Sequence, residues 1–242
     1  MRRKVMRNLT VNGSALTSGG TFRNVTIRGD ATISGDVQCA KWKVFGNADV
    51  SGNMTAEWLN IFGQANIRGN VHVKTIKLFG QADIRGNTNV DDMRLRGAAH
   101  IQGNITGGAI HGYGEMNVSG DCETESFSVK GVVQIANTLN AERVDLSLYF
   151  ADSRISEIGG KTIRVKRSKW NVMNLFKGMA NTSARLMTEI VEGDEIYLEH
   201  TSAQIVRGDR IIIGPGCDIE LIEYQTSLQQ SERAVVKEKR KI

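Results

Sequence analysis

Gly63-Gln64-Ala65-Asn66-Ile67-Arg68-Gly69-Asn70 returns seventeen residues later as Gly80-Gln81-Ala82-Asp83-Ile84-Arg85-Gly86-Asn87. The same beat extends in both directions. One glycine series runs Gly29, Gly46, Gly63, Gly80, Gly97, Gly114 and Gly131; a second runs six residues behind it, from Gly35 through Gly120. A fixed short period means stacked copies of one structural unit, none of which can bury its apolar face alone.

The unit reads as three short strands and three corners. After each first-series glycine comes x-Ala-x-Ile/Val, as in Ala31-Thr32-Ile33, Ala48-Asp49-Val50 and Ala99-His100-Ile101. Alternation of this kind marks a half-buried strand. The second glycine meets Asp36, Asn53, Asn70, Asn87, Asn104 or Asp121. Gly, Asn and Asp tolerate left-handed backbone angles, so a sharp left-handed corner is expected there. A second strand follows, with inward residues such as Val37/Cys39 and Val71/Val73, then a third, with Trp42/Val44 and Leu59/Ile61. The expected fold is therefore all-β, a parallel β-helix (β-solenoid) with a coil of about 17 residues. An earlier coil runs one residue out of phase through Leu9, Val11, Gly13, Ala15, Thr17 and Gly19. At about 4.8 Å per coil, the roughly eight coils from Leu9 to Leu148 make a rod of about 40 Å.

Composition suits this. The chain has 242 residues, 6% aromatics, 26 glycines and a single proline, Pro215. The N-terminus lacks an apolar signal region and no run of eighteen apolar residues occurs, which points to a cytoplasmic chain. Cys39, Cys122 and Cys217 are expected as buried thiols.

The beat blurs after Leu148 and the alternation vanishes between Ser168 and Leu186. It resumes at Glu189–Leu198, Ala203–Gly208 and Ile211–Leu221. The organisation expected is a basic N-terminal tail (1–8), a solenoid (9–167), an insertion forming a loop or short helix (168–186), C-terminal solenoid coils (187–224) and a polar, basic tail (225–242), disordered or a short helix.

Chemistry is sparse. His72, His100, His111 and His200 never fall at metal-ligand spacing, and neither a phosphate loop nor a dinucleotide fingerprint is present. Asp49 and Asp83 lie two coils apart, about 9–10 Å, a separation that inverting glycoside hydrolysis could use, but Asn66 intervenes. The run Ile213-Gly214-Pro215-Gly216-Cys217-Asp218-Ile219 looks like one turn of an acyltransferase β-helix, yet the period is seventeen and no histidine base accompanies it. No catalytic residue, cofactor or metal is expected. The net charge of +5 gathers at Arg2–Arg7, Arg164–Lys169 and Lys237–Lys241 without interleaved aromatics, which argues against nucleic acid.

The repeated Gly-x-Ala-x-Ile-x-Gly-Asn resembles the bactofilins, bacterial polymer-forming cytoskeletal proteins, over roughly Leu9 to Leu148. Glu192–Tyr224 looks like the C-terminal part of longer, Gram-positive-type members. The resemblance implies a right-handed β-helix that polymerises end to end without nucleotide, a scaffold often attached to the membrane. The expectation is a non-enzymatic scaffold at the inner face of the cell membrane. Its partners would be other copies of itself, an anionic membrane surface, and other bactofilin-like or cell-envelope proteins. A non-polymerising solenoid that binds a partner protein is the alternative, ahead of a sugar-acting or acyl-transfer enzyme.

Three sets of residues carry these expectations. Leu9, Val11 and Phe22 mark the end coil for self-assembly, because an uncapped coil exposes unpaired backbone groups. Phe45, Phe62 and Phe79 form one outward column, either a stacked stabilising ladder or a lateral contact strip. Trp170, Val172, Met173 and Phe176, flanked by Lys169 and Lys177, suit an anionic bilayer surface, a lid on the solenoid or a protein contact.

Overall fold

The computed structural model describes residues 6–168 and 184–242. They form strands, corners and turns, with no helix among the described residues, and every strand pairing whose register is defined is parallel. The fold is a parallel β-solenoid. It divides into two compact units, Met1–His111 with Met116–Gly120, and Gly112–Glu115 with Asp121–Ile242.

In the first unit the strands are β1 (Leu9–Val44), β2 (Asn47–Val50), β3 (Met54–Ile61), β4 (Gln64–Ile67), β5 (Val71–Leu78), β6 (Gln81–Ile84) and β7 (Thr88–Ile101). β8 (Ile105–Val118) divides between the units. Registers advance by seventeen at each coil. Ala31, Ala48, Ala65, Ala82 and Ala99 lie in one column, and Trp42, Leu59, Ile76 and Met93 in another. All of these side chains are buried, as the alternation predicts.

The corners differ from expectation. Among the described residues only Phe150 and His200 are non-glycine residues with positive φ, so the corner Asn and Asp residues are not left-handed. Their side chains instead bond along the coil axis. Asp36 Oδ1 accepts from Asn53 N–H at 2.7 Å, Asn53 Oδ1 from Asn70 N–H at 2.8 Å, Asn70 Oδ1 from Asn87 N–H at 2.8 Å, and Asn87 Oδ1 from Asn104 N–H at 2.9 Å. Each satisfies a backbone donor that the sharp bend removes from the ladder. Close approach explains most of the glycines beside them: a Cβ at Gly52, Gly69 or Gly86 would lie 2.4, 2.6 or 2.5 Å from the nearest atom of the corner one coil earlier.

In the second unit β9 (Cys122–Leu148), β10 (Ser153–Arg167), β11 (Leu186–Leu198), β12 (Thr201–Ile213), β13 (Asp218–Gln230) and β14 (Val235–Lys241) follow in order. β10 pairs directly with β11, and Ile158, Val191, Val206 and Ile222 form a buried column. The disordered or helical tail expected from residue 225 is not found. β13 runs on to Gln230 and β14 pairs with it from Asp218↔Val235 to Tyr224↔Lys241. Cross-coil ion pairs hold this polar strand in place of apolar burial, with Lys237 Nζ 2.9 Å from Glu220 and Arg240 3.1 Å from Glu223.

Candidate functional site

The first coil of the first unit holds the residues expected to assemble. Val11 is buried, at 5% exposure, while Leu9 and Phe22 are half-buried. The most exposed large apolar residue there is Leu16, at 83%. Sequence reading passed over it, although it lies sixteen residues before Thr32, in the outward column that continues as Asp49, Asn66 and Asp83. An apolar residue in a polar column was the available signal. Asn24 Nδ2 donates to Asn8 Oδ1 at 3.3 Å, which shows the sixteen-residue step of this coil. Among the described residues, no strand pairs with its outer edge.

Phe45, Phe62 and Phe79 point outward and stack, with centroids 5.1 and 5.2 Å apart and rings within 5° of parallel. Guanidinium groups close both ends of the stack, Arg28 at 5.8 Å from Phe45 and Arg96 at 5.9 Å from Phe79. The rings therefore present edges to solvent, and each keeps nearly half its surface exposed. A groove of about 380 Å³ runs along another face of this unit, lined by Asp49, Asn66, Asp83, His100, Arg68, Arg85 and Gln102 among others. Its carboxylates are already engaged. Asn66 Nδ2 donates to Asp49 at 2.7 Å, Gln81 Nε2 donates to Asp83 at 2.9 Å, and His100 Nδ1 lies 3.1 Å from Asp83. This is a polar ladder rather than an acid–base pair facing a reaction centre.

In the second unit, Arg207 bridges Glu223 at 2.8 Å and Glu192 at 3.3 Å, and Arg240 bridges Glu223 and Glu238. The hydrogen bond from Arg207, despite desolvation, holds the Glu223 carboxyl below its usual range. Tyr113, Tyr149 and Phe150 form an aromatic cluster, and the Lys130 ammonium lies 5.9 and 5.4 Å from the two tyrosine rings. Burial pushes the Cys39 and Cys122 thiols up to about 12 and that of Cys217 to about 11. Among the described residues, no group of three His, Cys, Asp or Glu could hold a metal ion. No described helix is long and apolar enough to cross a membrane. The membrane or partner contact set, Lys169, Trp170, Val172, Met173, Phe176 and Lys177, lies outside the described residues.

An uncharacterized Bacillus subtilis (strain 168) protein, YhbE, is 44% identical over 220 residues, covering 91% of this chain and 92% of YhbE. The sequence model of the bactofilins, described as polymer-forming cytoskeletal, matches residues 4–89. The chain belongs to the bactofilin family. A second B. subtilis protein of uncharacterized function, YhbF, is 40% identical over 104 residues, 43% of this bactofilin but only 41% of YhbF. No solved structure matches significantly. Bactofilins are a structural, cytoskeletal family, and the family match covers the coils that carry both the end-coil residues and the phenylalanine stack.

Proposed function

We propose that this bactofilin is a non-enzymatic scaffold that associates with copies of itself through a solenoid end, at the inner surface of the cell membrane. The observation that carries this reading is the first coil. Its interior positions keep Leu9 and Val11, Leu16 stands exposed, and its outer backbone edge has no strand partner among the described residues. Such an edge is a template for another chain, and apolar side chains beside it reward its burial. Sedimentation of the full chain tests this. Leu16→Asp, at a position too exposed to matter for folding, should shift the protein to monomers; unchanged association would move the interface elsewhere. Charging Val11, by contrast, would unfold the coil and decide nothing.

The phenylalanine column supports a second contact, lateral rather than axial. Replacing Phe45, Phe62 and Phe79 by Ser should abolish side-by-side association while leaving end contacts intact; loss of stability alone would leave the stack a structural ladder. The membrane part of the reading rests on sequence, on Trp170 and Phe176 among basic neighbours. Co-sedimentation with anionic vesicles should drop for Trp170→Ser/Phe176→Ser, and equal binding would remove the anchor.

A further inference from the structure

We propose that the outward face carrying the phenylalanine column binds an anionic lipid bilayer, its lysines and arginines meeting the headgroups and its aromatic edges entering among them. The proposal rests on the membrane reading above, and it assigns this face, where the chain lies on a membrane, to lipid rather than to a neighbouring chain.

Three outward columns make the face, alternating along each strand with the buried columns of Trp42 and Val44. One is Phe45, Phe62 and Phe79, ending on Arg96. The next runs Lys43, Asn60, Lys77 and Arg94, and the third runs Lys41, Trp58, Thr75 and Asp92. These twelve positions hold four aromatic rings, five cations and one acid, Asp92. Asp92 is taken up by Arg94 at 3.2 Å, whereas Lys43 and Lys77 have no carboxylate partner among the described residues. Five cations against one acid leave an excess of four, and the corner beyond, with Glu57, Lys74 and Asp91, lowers it only to three. The rings keep apolar surface in the open, 44–49% of each phenylalanine and 39% of Trp58. Basic side chains set among exposed aromatic rings are what the interface of an acidic bilayer selects.

The orientation of the rings separates lipid from other anionic partners. Each phenylalanine turns its faces to its neighbours in the stack, 5.1 and 5.2 Å away, or to Arg28 and Arg96 at the ends. Lys41 occupies a face of Trp58, its ammonium 5.2 Å from the ring. A single strand of nucleic acid is held by bases laid on free ring faces, and the phenylalanines offer none. Ring edges suffice at a bilayer, where burial among headgroups and acyl chains needs no stacking partner. A second copy presenting the same face would set one lysine column against another.

Co-sedimentation of the full chain tests this, with vesicles of phosphatidylcholine alone and of phosphatidylcholine and phosphatidylglycerol in equal parts. The parent should bind the second and not the first. Lys43→Gln/Lys77→Gln, at exposed positions and with folding confirmed by thermal melting, should bind roughly 25-fold more weakly, about fivefold for each cation removed. Contact is read separately by fluorescence. With Trp170→Phe the remaining tryptophans are Trp42, which is fully buried, and Trp58, so brominated lipid should quench Trp58 in the bound protein. A Lys43→Gln/Lys77→Gln variant that binds as tightly as the parent, or an unquenched Trp58, overturns the face. Loss of binding by Trp170→Ser/Phe176→Ser alone would then leave the membrane reading standing on the insertion. A parent that ignores both vesicles overturns the face and the membrane reading together. Capture of a single-stranded oligonucleotide in place of vesicles gives the face to nucleic acid. Loss of side-by-side association in Lys43→Gln/Lys77→Gln, with vesicle binding unchanged, gives it to a neighbouring chain.

Discussion

Alanine in place of Gly69 should destabilise the first unit far more than alanine in place of Gly35, and the difference follows from coil spacing rather than backbone angle. At Gly35 φ is +93° and a new Cβ meets nothing within 4 Å, so the cost is left-handed strain alone, about 1 kcal/mol. At Gly69 the Cβ would lie 2.6 Å from both Asn53 N and Gly52 O, about 0.8 Å inside the 3.4 Å at which ordinary contact begins. Opening the corner by that much stretches three bonds: Gly69 N–H to Gly52 O (3.2 Å), Asn70 N–H to Asn53 Oδ1 (2.8 Å) and Met54 N–H to Asn70 O (2.8 Å). At about 1 kcal/mol each the loss is roughly 3 kcal/mol. Both variants restrict the unfolded chain equally, so that contribution cancels in the comparison. Urea unfolding followed by circular dichroism measures it through the midpoints. A Gly69→Ala midpoint equal to or above that of Gly35→Ala would refute the close-approach account of the corner.

Ala65→Leu forces a larger side chain between Ala48 and Ala82 of the adjoining coils and should cost about 1–3 kcal/mol in the same assay. Glu223, whose carboxyl is held below the ordinary 4.5 by Arg207, contributes stability that is complete above that value and is lost as pH falls through its lower folded value. Glu223→Gln should flatten that acid limb of the stability profile, and an unchanged limb would assign it to other carboxylates. Cys39, Cys122 and Cys217, buried and with raised pKa values, should resist a thiol reagent at pH 8 in the native chain and all react in urea. Rapid native labelling would contradict their burial.

The stacked columns were legible in the sequence because each coil repeats the same inside–outside decision, so the Ala65 position is read five times and the Leu59 position four times rather than once. The corner was read with the right residues and the wrong physics. Asn at a bend suggests left-handed backbone, but its oxygen has a better use when an identical bend lies one coil away, a partner that a local window of sequence does not contain. β14 escaped for a related reason. Of its interior positions Val236 is apolar but the next carries Lys239, so the alternation that announces a strand is missing, and the ion pairs that hold it appear only once β13 is alongside. The exposure of Leu16 and the closing of the stack by Arg28 and Arg96 likewise depend on which coil lies next to which.

The corner amides of the first unit all lean the same way. From Asp36 to Asn104 each oxygen belongs to the earlier coil and each donor to the later one, so the row is a chain of like-oriented dipoles that starts from a full negative charge. Injury to such a row is displaced. Removing the side chain of Asn70 leaves Asn70's own amide proton held by Asn53 and strands the proton of Asn87, seventeen residues downstream. Hydrogen exchange in Asn70→Ala should therefore quicken at Asn87 and not at the altered residue. The solenoid transmits a lost contact in one direction along its axis, like a row of tiles that can fall only forward.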